Sequence, residues 1–224
     1  MTSEPRDFDI VCFDCDSTLS HIEGIDELAR RAGVEDEVAP LTAAAMAGSL
    51  SLDAIYAERL SLVRPDRATI AWLGQRYVEE MVPGARETIM ALHRAGKPVH
   101  IVSGGLRPAI EPLARVLKIS ASRVHAVDVI FEDDGTYRDF DRGSPLSRQD
   151  GKAIVCRSLA GQHTSIALVG DGATDLTARE SGVFVVGFGG VTRREILVEG
   201  ADVFVAAPCL TAVLNTLLGT AECQ

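Results

Sequence analysis

The sequence has few of the features that mark secreted, membrane or nucleic-acid-binding proteins. Its five cysteines are an odd number at scattered positions, which disfavours a disulfide framework and favours a reducing compartment. No apolar run approaches the roughly 20 residues of a membrane-spanning helix, and no charged-then-apolar signal peptide opens the chain. A net charge of −10 disfavours binding to nucleic acid or to an anionic membrane. We expect a cytoplasmic protein with a small-molecule substrate and no nucleic-acid or membrane partner. A homodimer stays an open alternative.

Motifs of several common cofactor and metal sites are missing or incomplete. No second C-x-x-C accompanies Cys12-x-x-Cys15, so we interpret both as buried thiols and not as a zinc or redox site. The five histidines, His163 among them, show no ligand spacing, and we expect them to be structural or on the surface. Thr192 stands where a dinucleotide loop at Gly187-x-Gly-Gly would need its third glycine, and no G-x-x-x-x-G-K-[ST] loop occurs. These absences disfavour zinc, redox, dinucleotide and P-loop chemistry.

The most informative stretch that is present is an apolar run that ends in two carboxylates. Residues 8–13 are rich in Phe, Ile and Val and predict a buried strand, and Asp14 and Asp16 follow it. Such a pair is costly to bury, because like charges repel and water is removed, unless a cation or a substrate needs it. The alternative for a lone D-x-D is a pair that caps a loop. In an open parallel sheet, however, the carboxyl ends of the strands face the ligand crevice.

Beyond this strand the chain divides into a helical stretch and an alternating α/β part. Between residues 20 and 80 apolar residues recur at helical spacing, for example Ile70, Leu73 and Val78, which predicts about four helices. From residue 81 strands alternate with helices. We therefore predict an α/β fold, a Rossmann-like parallel sheet with helices on both faces. Its core domain would comprise residues 1–19 and 81–224, and a helical insertion would comprise residues 20–80.

Four places along the chain carry functional side chains that we expect at one edge of this sheet. They are the aspartate pair, Ser103 after a predicted strand, Lys152 at a helix start, and the segment Gly170-Asp-Gly-Ala-Thr-Asp175. Carboxylate ligands without a histidine or cysteine pattern favour Mg²⁺ over zinc, and helix N-termini add backbone N–H groups. Such a site suits a phosphoryl group, whose transfer needs positioning and neutralised oxygens.

These motifs, in this order and at these spacings, resemble those of the haloacid-dehalogenase (HAD) superfamily of phosphatases. Asp14-Cys-Asp-Ser-Thr18 matches its D-x-D-x-T motif, and Ser103-Gly-Gly105 is similar to its second motif. Lys152 occupies the place of the third motif, and Gly170-Asp-Gly-Ala-Thr-Asp175 that of the fourth. The helical insertion lies where this superfamily inserts its type-1 cap. Within the superfamily the chain resembles the phosphoserine phosphatases over nearly its whole length.

The resemblance implies a role for each matching residue of the core. Asp14 would attack phosphorus and become an aspartyl phosphate, and Asp16 would act first as the acid and then as the base. Mg²⁺ would be held by Asp14, by the backbone carbonyl of Asp16 and by Asp171. The phosphate would be bound by Ser103, Gly104, Gly105 and a catalytic Lys152. Thr18 and Asp175 would support these residues, and Thr174 would lie near the substrate.

The resemblance also implies substrate contacts from the helical insertion. Glu23 would meet an ammonium group and Arg59 a carboxylate, which suits the fork of a guanidinium. Met46 would be a further contact, with packing in the core of the insertion as an equal alternative. Two positions depart from the family pattern: Ala47 stands where glycine is frequent, and Cys15 where an apolar residue is commoner. They leave fine specificity open.

The function implied by the resemblance is Mg²⁺-dependent hydrolysis of phosphoserine to serine and phosphate, the last step of serine biosynthesis. A phosphotransferase to another small alcohol such as homoserine, or a phosphatase for another small metabolite, would use the same aspartyl phosphate and remains an alternative. A catalytically silent phosphate-binding protein is disfavoured, because loss of Asp14 or Asp16 would be its expected mark.

Overall fold

The computed structural model of this protein describes residues 7–160 and 164–219. His163 lies outside these ranges, so the expectation for it stays a prediction. Within them, no helix is both long enough and apolar enough to span a membrane.

A parallel sheet forms the centre of the described chain. The strands are β1 (Ile10–Phe13), β2 (Val99–Leu106), β3 (Val124–Val127), β4 (Val129–Phe131), β5 (Tyr137–Phe140), β6 (Ile166–Gly170), β7 (Phe184–Phe188) and β8 (Val203–Val205). Among the described residues, six of them form one sheet in the order β3-β2-β1-β6-β7-β8, with every neighbouring pair parallel. Every residue of β6 is buried, and because successive side chains point to opposite faces, both faces of the sheet are covered. The predicted fold class is confirmed.

Helices make up most of the remaining described chain. They are α1 (Gly24–Ala32), α2 (Glu35–Met46), α3 (Leu52–Val63), α4 (Arg67–Glu79), α5 (Ala85–Arg94), α6 (Arg107–Val116), α7 (Gly151–Ala160), α8 (Ala173–Leu176), α9 (Glu195–Gly200) and α10 (Leu214–Leu218). Helices α1 to α4 fall within residues 20–80, and the carboxylate of Asp66 accepts a hydrogen bond from the backbone N–H of Thr69 as the N-cap of α4. The division of the chain into two domains at residues 20 and 80 stays a prediction.

The two ends of the helical insertion run side by side. Ser20 and Met81 form an isolated antiparallel bridge, and the backbone N–H of Val82 donates to the carbonyl of Leu19 at 3.0 Å. The chain segments that enter and leave the insertion are thereby tied together.

Three predicted elements differ from the structure. The apolar pattern of residues 124–130 predicts one strand, but the structure has two, because the chain leaves the sheet at Asp128 and β4 then pairs with β5 in a hairpin. The strand expected over residues 99–102 continues to Leu106, so Ser103-Gly-Gly105 lies within β2, where the register shifts. Glycines in a strand give no periodic signal and are typical of such irregularities. The spacing of apolar residues over 210–218 predicts one closing helix, but its first part is a 3₁₀ turn at Leu210–Val213.

Candidate active site

Three aspartates meet where β1 and β6 end. Asp14 follows β1, Asp171 follows the neighbouring β6, and Asp175 lies in the short helix α8 behind it. One carboxylate oxygen from each lies within 4.8 Å of the other two, and all three side chains are buried. Adjacent parallel strands thus bring together carboxylates that lie far apart in the sequence.

Lys152 supplies positive charge to this cluster. Its ammonium nitrogen lies 2.6 Å from Oδ2 of Asp14 and 2.7 Å from Oδ1 of Asp175. Burial on its own lowers the pKa of Lys152, but the charges of Asp14 and Asp175 outweigh this effect and raise the pKa above its ordinary value. The other oxygen of Asp14, Oδ1, accepts the backbone N–H of Cys15 at 2.7 Å. Both oxygens of Asp14 are therefore held by donors.

The cluster fits a metal ion. Oδ2 of Asp171 accepts a hydrogen bond from Nε of Arg194 at 2.9 Å, whereas Oδ1 is buried and has no hydrogen-bond partner in the part of the chain that is described. Burial, which outweighs the attraction of Arg194, raises the pKa of Asp171 to about 6. A buried carboxylate oxygen without a donor is costly unless a cation meets it, and a donor set of oxygens alone suits a hard cation.

Asp16 is held by two donors from the helical insertion. Its Oδ1 accepts the backbone N–H of Gly24 and the hydroxyl of Tyr77, each at 2.7 Å. Burial and the neighbouring Asp14 raise the pKa of Asp16 to about 6. A carboxyl group in this range can hold and release a proton near neutral pH. The Asp16 side chain is not part of the three-aspartate cluster, and the metal contact expected from its backbone carbonyl stays a prediction.

Ser103, Gly104 and Gly105 line a cavity beside these carboxylates. The backbone N–H of Gly105 donates to Oγ of Ser103 at 3.1 Å. A Cβ atom at Gly105 would lie 3.2 Å from Oδ2 of Asp16, and one at Gly104 would lie 3.2 Å from the carbonyl oxygen of Leu146. Protein atoms therefore already occupy the space that a side chain would need at either position, and glycine allows this close packing beside the cavity.

The helical insertion forms the other side of the cavity. Glu23, Met46 and Arg59 line it, and the substrate contacts that the resemblance implies for them stay predictions. Arg59 is 5% exposed, and its Nη1 donates to Oγ1 of Thr42 at 3.0 Å. Its Nε is buried without a hydrogen-bond partner among the described residues. A buried guanidinium with an unused donor suits an anionic ligand.

The other predicted residues take different positions. Thr174 lines the cavity, whereas Thr18 is buried with its hydroxyl lacking a hydrogen-bond partner within residues 7–160 and 164–219. Cys12 and Cys15 are buried free thiols, as expected. Ala47 is exposed at the end of α2.

Arg194 is a residue of the site that sequence reasoning missed. Its Nη2 donates to Oε1 of Glu23 at 3.1 Å, so one guanidinium bridges Glu23 and Asp171. The hydroxyl of Ser17 donates to the same oxygen of Glu23 at 2.9 Å. Burial, reinforced by the charge of Asp171, raises the pKa of Glu23 well above its ordinary value. Arg194 follows β7, the neighbour of β6, so the rule on carboxyl ends of strands was a usable signal.

Sequence reasoning also missed two tyrosines of the helical insertion that line the cavity. The hydroxyl of Tyr56 donates to the carbonyl of Gly104 at 2.8 Å. Tyr77 is fully buried, whereas Val78, which the periodicity assigned to the apolar stripe of α4, is partly exposed. Tyr77 lies four residues after the buried Leu73, so helical spacing fits Tyr77 equally well.

The chain is similar in sequence and in structure to several known phosphatases. The profile of the haloacid dehalogenase-like hydrolase family matches residues 11–180. The chain is 37% identical over 199 residues to the phosphoserine phosphatase of Homo sapiens, which covers 88% of each chain. A solved phosphoserine phosphatase with bound substrate aligns with a TM-score of 0.81 and 28% identity, over 95% of this chain and 99% of that one. A phospho-aspartyl intermediate analogue of phosphoserine phosphatase aligns with a TM-score of 0.80 and 29% identity, over 95% of this chain and 100% of that one.

Proposed function

The chain belongs to the haloacid dehalogenase-like hydrolase family, and on this premise we propose that it hydrolyses phosphoserine to serine and inorganic phosphate. The observation that carries the proposal is a single cavity with two kinds of lining. Carboxylates, Lys152 and the backbone of two glycines lie on the core side, and Glu23 and Arg59 lie on the side of the helical insertion. The relatives named phosphoserine phosphatase, similar over most of their length, support the same substrate.

Asp14 is the proposed nucleophile. Lys152 and the backbone N–H of Cys15 each hold one of its oxygens, so its orientation is set before substrate binds. An oxygen of Asp14 forms a bond to phosphorus while the bond between phosphorus and the serine oxygen breaks. The relative solved as a phospho-aspartyl intermediate analogue supports this covalent step.

Asp16 is the proposed acid and base. As the phosphorus–oxygen bond to serine breaks, Asp16 gives its proton to the serine oxygen. It then takes a proton from the water that attacks phosphorus, while the bond between phosphorus and Asp14 breaks and phosphate is released. Its pKa of about 6 suits a group that must both donate and accept a proton.

Mg²⁺ is the metal ion that we propose for the acidic cluster. Asp14, Asp171 and the backbone carbonyl of Asp16 would hold it, with Asp175 in support of Lys152. When bound, such an ion neutralises charge on the phosphate oxygens.

The two ends of the substrate would meet different side chains. Ser103, the backbone of Gly104 and Gly105, and Lys152 would bind the phosphate, with Thr174 beside it. On the other side Arg59 would bind the carboxylate and Glu23 the ammonium, with Met46 in contact with the carbon chain.

Phosphate release from a panel of phosphorylated metabolites in the presence of Mg²⁺ tests this proposal. Phosphoserine should give the highest kcat/KM, ahead of phosphoethanolamine, which lacks the carboxylate, and phosphoglycerate, which lacks the ammonium. A higher kcat/KM for either of these esters would overturn the substrate assignment. Product analysis with and without homoserine separates hydrolysis from phosphoryl transfer to another alcohol.

A further inference from the structure

We infer that Tyr77 is a positioning residue for proton transfer, and that it selects which oxygen of Asp16 carries the proton. Its hydroxyl occupies Oδ1 of Asp16 and leaves Oδ2 to serve the leaving group. This inference rests on the proposed phosphatase function and adds a residue from the helical insertion to the chemistry of the core.

Oδ1 of Asp16 already accepts two hydrogen bonds. One comes from the backbone N–H of Gly24 at the start of α1, and the other from the hydroxyl of Tyr77 in the last turns of α4, each at 2.7 Å. A backbone N–H can only donate, so the bond from Gly24 keeps Oδ1 an acceptor, and the phenolic hydroxyl, which can donate or accept, then donates to the same oxygen. The proton of a protonated Asp16 is therefore placed on Oδ2.

Oδ2 lies beside the backbone that is proposed to bind phosphate. A Cβ atom at Gly105 would be 3.2 Å from this oxygen and 3.3 Å from Oγ of Ser103. Both residues line the cavity, so the oxygen left free by Tyr77 is the one on the side of the scissile bond.

The hydroxyl of Tyr77 has little freedom to leave this position. Tyr77 is 0% exposed. A Cβ atom at Gly24 would lie 2.0 Å from the hydroxyl oxygen of Tyr77 and 3.3 Å from Oδ1 of Asp16, so the contact exists only because residue 24 is glycine. Shortly after Tyr77, Met81 pairs with Ser20, which holds the end of α4 close to the residues that follow β1.

The test compares two substrates that differ in their need for a proton. Serine leaves as an alkoxide and needs a proton from Asp16, whereas acetate leaves acetyl phosphate as a stable anion. The measured quantity is kcat/KM, which covers the steps up to release of the leaving group. Tyr77→Phe should lower kcat/KM for phosphoserine about 10-fold, because the hydrogen bond that is lost is one to a charged group. The same variant should lower kcat/KM for acetyl phosphate less than about 3-fold.

Two controls separate positioning from packing. Tyr137→Phe removes the hydroxyl of a buried tyrosine in β5, outside the cavity, and should change neither value. In the Asp16→Asn background, the addition of Tyr77→Phe should lower kcat/KM for phosphoserine by less than about a further 2-fold, because the effects of two changes that act through one group are not additive. If thermal unfolding shows that Tyr77→Phe does not fold, Gly24→Ala is the second variant. It should give the same dependence on the leaving group, since the added Cβ displaces the hydroxyl of Tyr77.

Equal slowing of both substrates, or an undiminished loss in the Asp16→Asn background, would overturn the inference and assign Tyr77 to packing. The comparison needs one alkyl phosphate and one acyl phosphate. If the wild-type protein prefers an alkyl ester other than phosphoserine, that ester replaces it, so failure of the substrate assignment is distinguishable from failure of the role of Tyr77.

Discussion

Two buried basic side chains of the cavity, Lys152 on the core side and Arg59 on the insertion side, differ in how far they are already paired. On the core side Lys152 lies between Asp14 and Asp175, with both contacts below 3 Å. On the insertion side Arg59 is buried with an unused donor among the described residues. A paired cluster keeps reactive groups in place before substrate binds, whereas an unused donor contributes only when a matching group arrives. The difference supports the proposal that the core performs the reaction and that Arg59 of the helical insertion contributes to the choice of substrate.

The largest effect is expected from a change on the core side. Asp14→Asn should lower kcat by about 10³-fold or more for every phosphate ester, because an amide cannot replace the nucleophile. Steady-state phosphate release measures the loss, and circular dichroism should show an unchanged fold. Rapid multiple turnover by a homogeneous preparation of the variant would remove Asp14 from this role and break the assignment of the reaction to the core.

A smaller and selective effect is expected from the insertion side. Arg59→Ala should lower kcat/KM for phosphoserine about 10- to 150-fold, the equivalent of a hydrogen bond between charged groups, about 1.5–3 kcal/mol. Phosphoethanolamine has no carboxylate, so its hydrolysis should change far less. Because both substrates are measured on one variant, a general loss of folding cannot produce this pattern.

Glu23→Gln is the matched variant for the other end of the substrate. It should slow phosphoserine more than a phosphoglycerate, which has no ammonium group for Glu23 to bind. Equal losses on both substrates, here or in Arg59→Ala, would make the residue structural and would leave phosphoserine specificity without its main physical support.

The metal ion sharpens the same comparison, because its ligands are expected on the core side. Binding of Mg²⁺ must displace any proton on Asp171, whose pKa burial raises to about 6. Affinity should therefore fall as the pH falls through this value, by about 4-fold between about pH 7.5 and about pH 5.5 for one such group. Calorimetric titration with Mg²⁺ at the two pH values measures the change. An affinity that rises towards acid pH would contradict the assignment, and Arg59→Ala serves as the control that should keep the same dependence.

The smallest effect is expected where the two sides touch. Tyr56→Phe removes the hydrogen bond from the helical insertion to the carbonyl of Gly104, which should cost about 1 kcal/mol of unfolding free energy. For a chain of this size that corresponds to a fall in Tm of about 2–4 °C. Thermal unfolding of Tyr56→Phe, with Tyr137→Phe as the control variant, measures the change in Tm. An unchanged Tm for Tyr56→Phe would mean that this contact does not stabilise the protein.

Much of the fold and of the core side could be predicted because the signals are local. A short apolar run followed by an aspartate identifies β1 and β6 together with Asp14 and Asp171, since strand and motif adjoin in the chain. The exact extent of β2 could not be read, because glycines 104 and 105 carry no periodic signal. The sequence also did not predict that the strand breaks at Asp128, because an apolar run does not show which strand it will pair with.

The sequence by itself determined which residues are proposed as the reacting groups of this protein, because each motif keeps its residues a few positions apart on one strand end or helix start. Only the tertiary structure decided which donor meets which oxygen. The bond from Tyr77 to Asp16 joins residues 61 positions apart, and that from Arg194 to Glu23 joins residues 171 positions apart. Such contacts depend on how the helical insertion packs against the edge of the sheet. Burial then raises the pKa values of Asp16 and Asp171 to about 6, a change that no local pattern of residues contains.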